Sequence, residues 1–202
     1  MEHVTHESLL LRLQDVRDAQ AWDQFHGYYR TFILNFAGNR GCSQQMAQDV
    51  LQETMITLTR VMPNFSYNPL RGRFRTFLLT IVTSRIVDAF RRKRKYTMAR
   101  KPGHDSSQEL YIIPEPAGRQ WEDEWEREWQ QHLLMQALRR VQAKIKPYIY
   151  DSFRMYVLEK RPAAEVTEAL EIPENTIYQH RRRVIDMLRR EITELRTELG
   201  EE

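Results

Sequence analysis

The side chains best suited to chemistry lie near the C-terminus, in a stretch rich in groups that bond base edges and phosphates. Glu174, Asn175, Thr176, Tyr178, Gln179 and His180 are followed at once by Arg181, Arg182 and Arg183. Asn and Gln match the paired donor and acceptor of adenine, and Arg matches guanine or a phosphate. Arginines on phosphate set the register of a helix on DNA without reading sequence. These residues open the second helix of the segment 162–188, PAAEVTEALEIPENTIYQHRRRVIDML. A short helix with Val166, Ala169 and Leu170, a turn at Ile172 and Pro173, and a longer helix with Ile177, Val184 and Leu188 buried have the spacing of a helix-turn-helix. The second helix of that motif enters the major groove and offers its early polar residues to base edges. An ordinary helical hairpin with a basic exposed face would show the same pattern.

A second charged feature is masked by the net charge of only +3. Residues 91–101 read RRKRKYTMARK, seven of eleven positive, which suits a phosphate surface or a solvated helix end. Residues 122–128 read EDEWERE, five acids against one Arg. Other chemistry finds no support. The single Cys42 excludes an internal disulfide and a multi-Cys zinc cluster. There is no H-E-x-x-H pair, no P-loop and no Gly-rich phosphate cradle. No catalytic residue, metal ligand or cofactor is assigned, and the chain is expected not to be an enzyme. The early residues are charged throughout, unlike a signal peptide. No apolar run reaches the roughly 18 residues that span a membrane, so the expected location is cytoplasmic.

The elements that must position these groups read as helices, with no convincing alternating strand pattern. An early helix is expected over 7–18, with Leu9, Leu10, Leu13 and Val16 on one face. A second covers 19–36 and carries Trp22, Phe25, Tyr28, Tyr29, Phe32 and Phe36; GNRG at 38–41 stops it. Ser43 caps a third over 44–61, whose inner face would hold Met46, Val50, Met55 or Thr54, and Leu58. PNFSYNPLRG at 63–72 is a loop. A fourth helix over 73–93 carries Phe74, Phe77, Leu78, Ile81, Val82, Val87 and Phe90 and ends in the basic block. Pro102, Gly103, Pro114, Pro116 and Gly118 mark 96–120 as a linker. Helix resumes near Trp121, where Trp121, Trp125 and Trp129 share a face that predicts packing, within the chain or on a partner. Further helices are expected over 130–145, 147–159, 162–171 and 174–198. The fold class is therefore all-α: two small helical domains, 1–95 and 131–202, joined by a linker over 96–130 with a partly helical Trp-rich, acidic segment.

Three segments, in order, resemble the extracytoplasmic-function (group IV) sigma factors of bacterial RNA polymerase. AQDVLQETMITLTRVMPNF (47–65) is similar to that family's region two signature around Asp-Leu-Val-Gln-Glu-Thr. FRTFLLTIVTSRIVDAFRRKRK (74–95) is similar to its helix that starts at Phe-Arg and closes with Asp-x-x-Arg-Arg. Glu165-Val166-Thr167, Leu170 and Ile172 resemble its Glu-Ile-Ala-x-x-Leu-Gly-Ile, and Thr176-Ile177 its Thr-Val.

The resemblance implies a division of labour. Residues 1–95 would form sigma region 2, and Asp49, Gln52 and Glu53 would meet the clamp of core RNA polymerase, the partner being the enzyme's largest and second-largest subunits. The same domain would melt the minus-ten element of promoter DNA. The loop 63–72 takes the place of the family's base-capturing loop, where Asn64, Ser66 and Asn68 bond a base edge and Phe65 and Tyr67 stack on it. Stacking contributes roughly 1–3 kcal/mol per base, which offsets much of the cost of flipping. Arg71, Arg73, Arg75, Arg85, Arg91 and Arg92 would face phosphates. Residues 131–202 would form region 4, reading the minus-thirty-five duplex with Asn175, Thr176, Tyr178, Gln179, His180, Arg181, Arg182 and Arg183. An anti-sigma factor is a common partner in the family.

The chain departs from the family pattern at several positions. Met46-Ala47-Gln48-Asp49 drops two of the three acids usual before Leu-Val-Gln-Glu. Phosphorylation of Thr54 or Thr57 would restore negative charge, which adds a regulatory kinase to the candidate partners. Ser84 replaces an Asn, Phe77 a Trp, Glu171 the Gly of the turn, and His180 an Arg. The alternative function is a stand-alone helix-turn-helix regulator, whose palindromic sites would require dimers.

Overall fold

The computed structural model describes residues 9–65, 74–100 and 119–199, and all regular structure among them is helical. The chain is all-α and divides into two compact units, Met1–Trp129 and Gln130–Glu202. Among the described residues no helix is long and apolar enough to cross a membrane.

In the first unit the early helix is a single turn, α1 (Leu9–Arg12), rather than a run to residue 18. The reason is a cap. Asp18 accepts the Ala21 N–H at 2.9 Å and starts α2 (Ala19–Asn39). Arg12 holds the same carboxylate through Nε at 2.9 Å and Nη2 at 3.0 Å, so the chain must turn between them. Arg40 caps α2, and Gly41 at φ +84° takes a left-handed conformation that favours a residue without Cβ. Ser43 Oγ accepts the Met46 N–H at 3.3 Å and opens α3 (Gln44–Val61), as its sequence predicts. A 3₁₀ turn at Met62–Asn64 follows.

The inner face of α3 is Ala47, Val50, Leu51, Thr54 and Leu58; Met46 and Met55, expected there, are half-buried. The fourth helix, α4 (Phe74–Arg100), runs past the predicted end and carries the basic block as far as Arg100. It buries Leu78, Leu79, Ile81, Val82, Ile86, Val87, Ala89 and Phe90, an apolar face too broad for a surface helix. The first turns of α5 (Arg119–Lys144) also belong to this unit. Trp129 stacks on Tyr29 with centroids 5.0 Å apart, and Trp125 meets Phe32 and Phe36 edge-on at 4.5 and 4.6 Å. The tryptophan stripe is thus core of the first unit, with Trp129 fully buried. Charge follows the aromatics: Arg40, over the Phe36 ring, pairs with Glu124 at 2.8 Å and Glu128 at 3.1 Å.

The second unit comprises the rest of α5, α6 (Pro147–Phe153), a π-helical turn at Arg154–Leu158, α7 (Ala163–Leu170) and α8 (Glu174–Glu198). Pro147 sits in the first turn of α6, where its missing N–H costs little. Met155, Val166 and Ile177 form a small core under Tyr156, Ala163, Leu170 and Ile172. It locks α7 to the start of α8 across a three-residue turn, 171–173. Glu171 takes φ +53° there, at the position where a glycine fits without strain. Further along α8, the buried Glu191 pairs with Lys144, and Glu198 receives both Nη atoms of Arg140 at 3.0 and 2.8 Å.

Candidate nucleic-acid and polymerase interfaces

Asp49, Gln52 and Glu53 share one side of α3, because the side chains of Val50, Leu51 and Thr54 pin the other side to the core. Gln52 is exposed and the two acids are half-buried. Ile56 continues the stripe one turn on and is 42% exposed, an apolar group in a polar row that suits contact with another protein. One clue to it was its spacing: Ile56 stands four residues after Gln52, off the core periodicity. Glu53 is not free, since Arg92 Nη1 lies 2.7 Å from its Oε1. Two residues expected to meet different partners therefore meet each other here.

The arginines of α4 fall into two groups. Arg91 and Arg92 are exposed, as are Lys93, Arg94 and Lys95 after them. Arg85 is half-buried and donates to Thr57 Oγ1 at 2.9 Å, and Asp88 lies 3.4 Å from it and 3.8 Å from Arg91. Arg75 departs from expectation. It is 5% exposed, pairs with Glu126 at 2.9 Å and lies near the Trp129 ring, so it stands inside the unit instead of facing a phosphate. The sequence did not pair Asp88 or Glu126 with these arginines, because an acid beside a base is too common to assign.

Of the loop residues, Asn64 is exposed on the 3₁₀ turn. Phe65 is half-buried, with its ring 5.8 Å from Phe74 and 5.0 Å from Phe77, which ties it to the edge of the core. Its carbonyl accepts Gln14 Nε2 at 2.8 Å. Ser66, Tyr67, Asn68, Arg71 and Arg73 lie outside the described residues. The two candidate phosphorylation sites differ. Thr54 is 0% exposed, which closes it to a kinase in the folded unit. Thr57 is half-buried; its hydroxyl donates to the Glu53 carbonyl at 2.8 Å and accepts from Arg85.

On α8, Ile177, Val184 and Leu188 turn inward and leave Asn175, Tyr178, Gln179, Arg181, Arg182 and Arg183 exposed. Thr176 and His180 are half-buried. The Tyr178 hydroxyl donates to the Glu174 carboxylate, which pushes its pKa up to about 12 and keeps it protonated. His180 stands 5.7 Å from the Tyr148 ring; burial, then the charge of Arg183, push its pKa down and favour the neutral imidazole. The exposed set, held on one rigid helix beside a short packed helix, is able to enter a groove wide enough for a helix and bond base edges there.

No curated protein matches the chain. Residues 25–96, which run from Phe25 in α2 to Tyr96 in α4, match the family model for Sigma-70 region 2. The likeness is confined to the N-terminal unit, over α2, α3 and most of α4.

Proposed function

We propose that the chain is a sigma factor of the extracytoplasmic-function type, which binds core RNA polymerase and brings it to particular promoters. The observation that carries this reading is the pairing, in one chain, of a region 2 domain with a second unit whose exposed helix face is Asn175, Gln179 and three arginines. A stand-alone regulator needs only the second.

In this reading Asp49, Gln52, Glu53 and Ile56 form the polymerase-facing side of α3. Carboxylates and amides there complement basic groups across the interface, and the apolar Ile56 supplies burial. Glu53 must exchange Arg92 for its partner, an exchange of one partly exposed ion pair for another that costs little. Arg91, Arg92 and the basic residues after them hold promoter phosphates by charge, and Asn64 with the adjoining loop meets the unpaired strand. Arg75 has no direct part in this; it braces α4 against α5. The second unit reads the minus-thirty-five duplex through Asn175 and Gln179, while Arg181, Arg182 and Arg183 set its register on phosphates.

The test is run-off transcription with core polymerase that lacks its own specificity subunit, on a library of promoters. Initiation from a defined subset upon adding the full-length protein is the expected result. DNA binding without any initiation would transfer the chain to the stand-alone regulators.

A further inference from the structure

The side of α4 turned away from the core carries Thr76, Thr80 and Ser84 one turn apart, then Asp88 and Arg91. These line a groove whose floor is Leu79, Thr83 and Val87 and whose facing wall includes Glu122 of α5. The groove thus holds two carboxylates, Asp88 and Glu122, against one guanidinium. Asp88 already engages Arg85 and Arg91. Glu122 makes no ion pair among the described residues, and its exposed side chain adds a surplus negative charge. One turn further along α5, Glu126 holds Arg75 out of reach of solvent. The first turns of α5 therefore make the outer side of α4 less attractive to phosphate than its own sequence suggests.

We infer that Glu122 is an intramolecular rival of the phosphate backbone and keeps the free protein off non-promoter DNA. The inference rests on the reading of α4 as a DNA-facing helix. Phosphate attraction is independent of sequence and supplies nearly all non-specific binding. A fixed carboxylate on the path of the strand opposes that attraction for every DNA alike. It is overcome only where base contacts and bound polymerase contribute as well, which is at promoters.

Fluorescence anisotropy of the full-length protein with labelled random-sequence DNA, single-stranded and duplex, tests this across a salt series. Glu122→Gln should bind about threefold tighter than wild type at low salt, the effect of removing one unit-charge repulsion across roughly 6 Å of water. Glu122→Lys should gain about tenfold by the same reasoning, and both gains should close as salt rises. Asp123→Asn removes an equal charge from the next exposed position, outside the groove, and should change affinity far less. If Glu122→Gln behaves like Asp123→Asn while the wild-type protein directs initiation by core polymerase, the inference fails and the proposed function stands. If the wild-type protein directs no initiation, both fall together.

Discussion

Replacing Trp129 by Ala tests whether the first turns of α5 are core or decoration. Trp129 is 0% exposed, stacked on Tyr29 at 5.0 Å and edge-on to Phe32 at 4.9 Å. A buried Trp removes roughly 150–250 Å² from water, which at about 25 cal/mol per Å² is ~4–6 kcal/mol. Cavity collapse returns part of that, and large-to-small aromatic substitutions cost about 3–5 kcal/mol. A domain of this size has roughly 5–15 kcal/mol in all, so the change removes a large share of the first unit's stability. All four tryptophans, Trp22, Trp121, Trp125 and Trp129, lie in that unit, so their fluorescence follows its unfolding alone. Urea titration of Trp129→Ala, read by the remaining three, should show the midpoint fall by an amount equivalent to ~4 kcal/mol. A loss below about 0.5 kcal/mol, the range of surface substitutions, would refute the placement of α5 in this core.

Two further outcomes follow for the second unit. Glu171→Gly should stabilise it by about 0.5–1 kcal/mol, because a left-handed residue with a Cβ carries roughly 1–2 kcal/mol of strain and glycine returns part of that as lost chain entropy; slower amide hydrogen exchange over α7 and the start of α8 is the measure. His180 has a folded-state pKa below its ordinary 6.5, so the unfolded chain binds its proton more readily. Its contribution is therefore present above that value and lost as pH falls through the window beneath it. Protection of the α8 amides, relative to the intrinsic exchange rate at each pH, should fall on acidification in wild type more than in His180→Gln, and an equal fall would contradict the assignment.

Much of this fold was legible because its signals are local. Ser43 fixed the start of α3, the apolar spacing of Ile177, Val184 and Leu188 fixed the inner face of α8, and both are seen in place. The losses came where two distant segments decide together. Trp121, Trp125 and Trp129 announced a packing face, yet their partners on α2 are another aromatic stripe, and periodicity alone does not pair two stripes. Arg75 looked like the exposed Arg91 and Arg92 because the acid that buries it stands 51 positions away in sequence, at Glu126. The early helix was overextended because Leu13 and Val16 continue its apolar pattern, while the Arg12–Asp18 pair that ends it involves only common charges. The π-helical turn at Arg154–Leu158 has no sequence signal of its own.

The aromatic seam between α2 and α5 also bears on how the protein can be handled. Likeness to the region 2 model stops at Tyr96, but the face of α2 that bears Tyr29, Phe32 and Phe36 is covered by residues beyond that point. A fragment ended there would show water a contiguous aromatic patch of the kind that drives self-association. Recombinant pieces of the N-terminal half should therefore extend past Trp129 to remain monodisperse.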